Sequence, residues 1–322
     1  MLTRAARYIS GQMAIELSYC VVNTEQRQLL RYCLDSVARE RAAVPFETEV
    51  IVLDNASRDG SAGTARAHGA TTEVIALEQR RGKGENDSTL LRRARGRYVL
   101  LLNDDAELEP GATMALHEAL ASRPEAAIAG ATLVTHAGRQ EPSAWRFPSP
   151  LTALLTALHL HRRFVVQSRG SETRRVDWVQ SAALLVRRDA AEAVGYLDPA
   201  FFVFSDEVDF CKRLHDAGWD IFFVPSARAV GHEPPAYDQR KRIVELSRNR
   251  DRYMRKHHGA SAARSVRWLT SFTYAMRALA ALVLPGHEAR IYARHATATL
   301  LPGRGEGLAE SAAEYNRGGR RL

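Results

Sequence analysis

Cysteine is scarce in this 322-residue chain: Cys20, Cys33 and Cys211 are the only three, and no C-x-x-C pair occurs. An odd count without paired spacing excludes a disulfide scaffold or a zinc framework and fits reduced thiols in a cytoplasmic protein. Long hydrophobic runs are also missing. No apolar stretch reaches the ~18–20 residues that cross a bilayer. Arg4 and Arg7 are not followed by the apolar core of a secretory signal. Around Gly82-Lys83-Gly84 the Walker spacing and its Ser/Thr are absent, so no P-loop is present. Internal repeats and low-complexity tracts are lacking too. What remains is ordinary globular composition, 45% hydrophobic and 25% charged, enough for one large or two medium domains. The expected location is the cytoplasm, either free or peripheral at the inner face of the membrane.

The net charge of +8 is unevenly placed. Residues 1–239 hold 28 Lys+Arg against 31 Asp+Glu, whereas residues 240–322 hold 17 against 6. A nucleic-acid binder more often spreads basic charge over its reading surface, and none is expected here. A basic tail suits anionic lipid headgroups or a lipid-linked phosphate, and equally a solvated helical surface.

The first ~13 residues read as an extension to the folded chain. Leu17-Ser-Tyr-Cys-Val-Val22, Val50-Ile-Val-Leu53, Val74-Ile-Ala-Leu77 and Tyr98-Val-Leu-Leu-Leu102 are short, mostly apolar strand candidates. Leu29, Leu30, Cys33, Leu34 and Val37 follow the first at helical spacing. Strands of this kind alternating with helices predict a mostly parallel sheet flanked by helices, with ligands beyond the carboxyl ends of the strands. Polar clusters stand at three such ends: Asn23–Glu25, Asp54–Asp59 and Asn103–Asp105. Further on, Val176–Val186 and Ile221–Val224 return to strand character, with the helix of Phe210, Leu214 and Ala217 between them. The Pro234-Pro235 pair marks the expected boundary between a catalytic domain, 14–235, and a helical basic region, 236–322. In the latter, Leu269, Phe272, Met276, Leu279 and Val283 form one stripe. Core packing is the first expectation for it and in-plane membrane binding the second.

Asn103-Asp104-Asp105 after an apolar strand carries the strongest chemistry. Adjacent carboxylates repel unless a cation neutralises them, and oxygen ligands suit Mg²⁺ or Mn²⁺ bridging to phosphate; a helix cap is the plainer reading. Asp206-Glu207-Val208-Asp209 is a second acidic cluster. It sits in the first turn of a helix, which the dipole favours, behind an apolar lead-in that suits a carboxylate to general-base work. His232 reads as a metal ligand or a surface imidazole. Lys83, with Arg80 and Arg81, faces a diphosphate or only solvent.

In order and spacing these segments resemble family-2 inverting glycosyltransferases of the GT-A fold, in the rhamnosyltransferase-like and galactofuranosyltransferase-like branch. The matching pieces are Val21-Val-Asn23, Val50-Ile-Val-Leu-Asp-Asn-Ala-Ser-Arg-Asp-Gly-Ser61 and Ala94-Arg-Gly-Arg-Tyr-Val-Leu-Leu-Leu-Asn-Asp-Asp105. They continue through Val176-Asp-Trp-Val-Gln-Ser-Ala182, Phe201-Phe-Val-Phe-Ser-Asp-Glu-Val-Asp-Phe-Cys211, Gly218-Trp219, His232 and the basic run Arg248–Gly259. The resemblance implies a GT-A nucleotide-diphospho-sugar transferase fold, a UDP- or dTDP-sugar donor, a divalent cation, and a hydroxyl acceptor on a glycan or lipid-linked saccharide.

It implies roles as well. Asp54 contacts the base or ribose, with Asn23, Glu25, Asn55, Lys83, Asp87, Asn103 and Asp104 also on the donor side. Asp105 is the central metal ligand, helped by Asp104 and His232. Glu207 occupies the base position, with Asp206 the alternative because the usual Glu-Asp order is inverted here. Trp178, Ser181 and Asp209 fall to the acceptor or sugar pocket, although Trp178 equally suits a core. Two other classes remain possible on the residues alone. A sugar-phosphate nucleotidyltransferase would need a Gly-rich phosphate loop where this chain has Asn23-Thr-Glu25. A non-catalytic glycan- or membrane-binding module would not need Asp105 and Glu207 together.

Overall fold

Side chains that are apolar on both faces of a strand are rewarded only when both faces are covered, and that dictates the centre of this fold. The computed structural model describes residues 15–232, 238–284 and 286–319. In it Leu17–Asn23 (β1), Thr48–Asp54 (β2), Glu73–Ala76 (β3) and Tyr98–Asn103 (β4) lie parallel in the order β3-β2-β1-β4. They are joined by Arg27–Ala43 (α1), Ser61–Ala67 (α2) and Lys83–Arg93 (α3). Because side chains alternate along a strand, the sheet feeds two cores. Tyr19, Val21, Val52 and Leu100 meet Leu30, Leu34 and Val37 of α1, whereas Cys20, Ile51, Leu53 and Leu101 meet Leu90 and Leu91 of α3. All three cysteines are buried and free.

The chain continues through Ala106–Leu108 (β5), Ala112–Ala121 (α4), Ala126–Val134 (β6), Ala144–Trp145 (β7), Pro150–Ala157 (α5) and His161–Phe164 (α6). Arg174–Val176 (β8), Trp178–Val179 (β9), Ala183–Arg187 (β10), Arg188–Ala193 (α7), Asp206–Asp216 (α8) and Asp220–Gly231 (β11) complete the sheet half. The sheet runs on from β4 as β10-β6-β11-β5, with β8 also on β11. The parallel character expected from the sequence describes the first four strands, and β11 also runs parallel to β6. Strand β10 runs antiparallel to both β4 and β6, and β5 and β8 run antiparallel to β11. The stretch 176–186, which reads as one strand, is three, and the turn at Gln180–Ala182 brings Ser181 beside the end of β4, where Asn103 N–H donates to Ala182 O at 3.2 Å. From β1 the chain steps outward through β2 to β3 and then returns by α3 to β4 on the other side of β1, so a crevice opens where the strand order reverses.

Beyond the sheet, Gln239–Ala280 (α9) is broken at Gly259, whose φ of 83° and ψ of 173° no helix accommodates. The chain folds back there, and Arg267 reaches Asp251 at 2.7 Å. Ala289–Leu300 (α10) crosses both arms, with Ser271 Oγ donating to Ala296 O at 2.9 Å and Ser247 Oγ 3.4 Å from Thr299 Oγ1. Leu308–Gly319 (α11) returns to the strand ends. The first arm of α9 is tied to the sheet half through Tyr253 and Met254, packed with Phe201 and Val208. The expected boundary at Pro234-Pro235 and the N-terminal extension before residue 15 lie outside the described residues.

One expectation is reversed. Phe272, Met276, Leu279 and Val283 are 48–82% exposed, not core. The inward side of the second arm is carried by Ala263, Val266, Ser271 and Thr273, small or β-branched residues that let neighbouring helices approach closely.

Candidate active site

A cavity of about 470 Å³ lies at the carboxyl ends of β1 and β4, with Thr24, Asn55, Asn103, Asp104, Asp105 and Glu207 among its walls. Three of the turns that enclose it hold strained backbone. Glu25 and Ala56, just past β1 and β2, have φ of 55° and 56°, and Phe204 and Ser205, before α8, have 65° and 62°. Left-handed geometry at non-glycine residues persists only where surrounding contacts fix it, and it clusters at functional sites.

The residues expected to face the donor do gather, in two layers. Asn23 and Asp54 are buried beneath the cavity: Asn23 Nδ2 donates to Asp54 Oδ1 at 2.8 Å, and Ser57 N–H to Asp54 Oδ2 at 3.0 Å. Asp54 therefore shapes the loop and does not line the cavity. Asn55 does, clasping Arg81 through both its amide oxygen (2.8 Å) and nitrogen (3.1 Å). Glu25 lies at the rim, paired with Arg80 at 2.5 Å. Lys83, at the start of α3, lines the cavity and bonds Asp87 Oδ2 at 2.6 Å, so Asp87 is a buried support and not a wall. Burial alone would lower the Lys83 pKa, but the charges of Asp87 and Asp206 outweigh it and hold the ammonium charged.

At the end of β4, Asp104 accepts the Thr24 N–H at 3.0 Å. Burial, reinforced by the Asp105 charge, pushes its carboxyl up to about 8. Burial raises Asp105 as well, against Asn103, Lys83 and His232. Two hard carboxylates crowded at a cavity wall are a fitting partial ligand set for Mg²⁺ or Mn²⁺, which are commonly held by one or two carboxylates plus phosphate oxygens. Among the described residues no group of three His, Cys, Asp or Glu side chains is gathered for a metal. His232 is turned elsewhere: its Nδ1 is 2.8 Å from His136 Nε2, its Nε2 is 3.3 Å from Glu107, and only its backbone N–H reaches Asp105, at the carbonyl, 2.8 Å away.

The second acidic cluster divides by face. Asp206 and Glu207 line the cavity at the N-terminus of α8. Asp206 is 1% exposed, and neither carboxyl oxygen has a hydrogen-bond donor. Burial, then the Glu207 charge, raises it well above the carboxylate range, with Lys83 opposing. Asp209, expected in the acceptor pocket, faces away and is an anchor, its oxygens held by Arg213 (2.8 Å), His257 and Lys256 (both 2.7 Å). Trp178 is likewise a packing residue, stacked on Trp145 at 4.5 Å with its Nε1 donating to Arg146 O at 3.0 Å. Ser181 does line the cavity.

Several wall residues were not singled out from sequence: Asn86, Gln180, Phe202, Arg242 and, from α11, Ser311 and Ala312. Helix α11 is latched on by Asn316, which exchanges two hydrogen bonds with the Arg80 backbone (2.8 and 3.0 Å). Tyr315 lies between the Arg80 and Arg58 guanidinium groups, 3.5 and 4.4 Å from its ring, and its hydroxyl donates to Ala56 O at 2.7 Å. No local signal marks α11, because its partners are more than 200 positions away.

The chain belongs to the glycosyltransferase-like family 2, whose family model matches residues 16–271. A curated relative, the N-acetylglucosaminyl-diphospho-decaprenol L-rhamnosyltransferase of Mycobacterium tuberculosis, is 31% identical over 144 residues, 42% of this chain and 47% of the relative. The chain thus spans about half the length of the curated relatives it matches. In fold it is similar to a mannosyltransferase from Pyrobaculum calidifontis solved with GDP-Man and Mn²⁺, with TM-score 0.58, 14% identity, and 91% and 87% of the two chains covered. It is similar also to mannosyl-3-phosphoglycerate synthase from Rubrobacter xylanophilus, with TM-score 0.55, 16% identity, and 76% of each chain covered. The GT-A architecture expected from the sequence is therefore the one adopted.

Proposed function

We propose that the protein is an inverting glycosyltransferase that carries a sugar from a UDP- or dTDP-linked donor to a hydroxyl of a glycan or lipid-linked saccharide, in the building of a cell-surface polysaccharide or glycoconjugate. The observation that carries this reading is the convergence of Asp104–Asp105 and Asp206–Glu207 on the wall of one cavity at the sheet's switch point. The diphosphate side is supplied with charge by Lys83, Arg80 and Arg81, which line the same cavity. A divalent cation, Mn²⁺ or Mg²⁺, held by Asp105 with Asp104 would stabilise the negative charge developing on the leaving diphosphate. Glu207 takes the acceptor proton as the acceptor oxygen bonds to the anomeric carbon and the bond from that carbon to the diphosphate oxygen breaks. Burial and the neighbouring Glu207 charge raise the Asp206 carboxyl and favour its neutral form, which supports Glu207 as the proton acceptor. Attack and departure on opposite faces in a single displacement invert the anomeric configuration.

A lipid-linked acceptor is supported by the decaprenol-linked substrate in the name of the curated relative. Peripheral contact with the inner face of a membrane through the basic tail goes with it; among the described residues no helix is long and apolar enough to cross one. The test is a thermal-shift screen of UDP-, dTDP- and GDP-sugars with and without Mn²⁺, followed by a transfer assay with the sugar that binds. A specific ligand raises the melting temperature by mass action. Stabilisation by UDP- or dTDP-sugars that requires Mn²⁺, followed by sugar transfer, is expected. Release of a nucleotide sugar from a sugar phosphate and a nucleoside triphosphate would make it a nucleotidyltransferase, and no nucleotide binding would reduce it to a binding module.

A further inference from the structure

A second cavity, of about 540 Å³, lies away from the first, between the opening turns of α9, the length of α10 and the loop after it. Four arginines line it: Arg240, Arg290, Arg294 and Arg304. No acidic side chain lines it, and among the described residues none of the four is paired with a carboxylate. Four like charges at close quarters repel unless an anion joins them. The remaining wall is apolar, with Ile243, Val244, Ala298 and Leu301, so the cleft suits an anion that carries hydrocarbon.

The fold supplies the hydrocarbon side as well. The two arms of α9 are antiparallel, fixed by Arg267–Asp251, and α10 pairs its Ala296 with Ser271 and its Thr299 with Ser247. At 1.5 Å per residue Arg240 lies roughly 16 Å and the end of α9 roughly 20 Å from that ion pair, and both therefore sit at the open end of the hairpin. There the chain exposes Leu279, Leu282, Val283 and Leu284, by 52–82%, and Arg290 follows within one helical turn of the start of α10. Apolar side chains beside a cluster of guanidinium groups match a bilayer interface, with hydrocarbon inside and phosphate at the surface.

We propose that this end of the helical region is a membrane-docking site, in which the four-arginine cleft binds the phosphate of anionic phospholipids while Leu279 and Leu282–Leu284 enter the headgroup boundary. The proposal rests on the reading of the enzyme as one that works at a membrane surface, and gives that contact its residues. It is independent of the donor cavity, which shares no wall residue with the cleft.

The test is co-flotation of the full chain with phosphatidylcholine vesicles made with and without phosphatidylglycerol, over a salt series. Each arginine near an anionic surface contributes roughly fivefold in affinity, so Arg290→Gln/Arg294→Gln should weaken binding to the anionic vesicles about thirtyfold. Leu282→Ser/Val283→Ser should weaken it as well and leave a salt-sensitive remainder. Melting temperatures and circular dichroism check that both variants fold. Equal binding to the two vesicle types, or full binding by the arginine variant, would overturn the proposal. So would complete competition by inorganic phosphate, which would make this a free-phosphate site, or arginine-dependent binding of duplex RNA in place of vesicles. Sugar transfer to a water-soluble acceptor separates the two failures. A chain that transfers sugar but ignores vesicles loses the docking site alone, whereas one that docks and never transfers loses the catalytic reading.

Discussion

Asp206 is a buried carboxyl with no donor on either oxygen, a costly arrangement that a structural helix cap would not need. Its folded pKa is raised, so the folded chain keeps a proton that the unfolded chain loses above about pH 4. This contribution therefore lowers stability as pH rises from there toward the folded value, by up to ~1.4 kcal/mol per pH unit. Asp206→Asn, which needs no proton, should melt higher than wild type, with a larger margin at pH 8 than at pH 5. Melting curves at the two pH values check it, and equal margins would contradict it. Asp105→Ala should abolish transfer and the metal-dependent part of nucleotide binding, with little loss of melting temperature, because it removes no core packing. Nucleotide titrations with and without Mn²⁺ decide that. At this scale the motif residues Asp104, Asp105, Asp206, Glu207 and Ser181 were legible in the chain and reach the cavity. Asp209 was not, because its fate depends on His257 and Lys256, which arrive from a helix some 50 positions later.

Among the elements, the junction of α3 with the loop before α8 is the tightest at the site. A Cβ on Gly82 would stand 2.7 Å from Phe202 O, and Lys83 N–H already donates there at 2.6 Å. Gly82→Ala should therefore push back the 202–205 turn that aims Asp206 and Glu207. The expected cost is about 1–3 kcal/mol of stability, with a fall in transfer rate larger than any change in nucleotide affinity; steady-state kinetics beside calorimetry read both. Helix α11 makes the opposite prediction. Tyr315→Ala removes a guanidinium stack and a hydrogen bond, each worth on the order of 1 kcal/mol, so nucleotide affinity should fall about tenfold and limited proteolysis of the 301–307 loop should accelerate. The parallel strands were readable because their side chains are apolar on both faces. The fold-back at Gly259 was not, since the exposed stripe from Phe272 to Val283 has the same periodicity as a buried one, and only the partners available decide which it becomes.

For the molecule as a whole, charge and topology divide the work. The slightly acidic sheet half carries both carboxylate pairs at one switch point, and the basic helical region supplies Arg242 and α11 to the same cavity while turning its arginine cleft outward. The catalysis and the membrane contact proposed above would thereby use different surfaces of one chain. The order of acidic motifs along the sequence pointed to the first; the second depends on how α9 doubles back, which no motif records.

The central claim is that Glu207 accepts the acceptor's proton, and the Glu207→Gln variant tests it most directly. Glutamine keeps the size and much of the hydrogen bonding but cannot take that proton. Measured side by side, the transfer rate should drop at least ~10²-fold, the lower end for loss of a general base, while calorimetric donor binding stays close to wild type. Near wild-type transfer by Glu207→Gln would contradict the account, and if Asp206→Asn were then inactive the base would be Asp206.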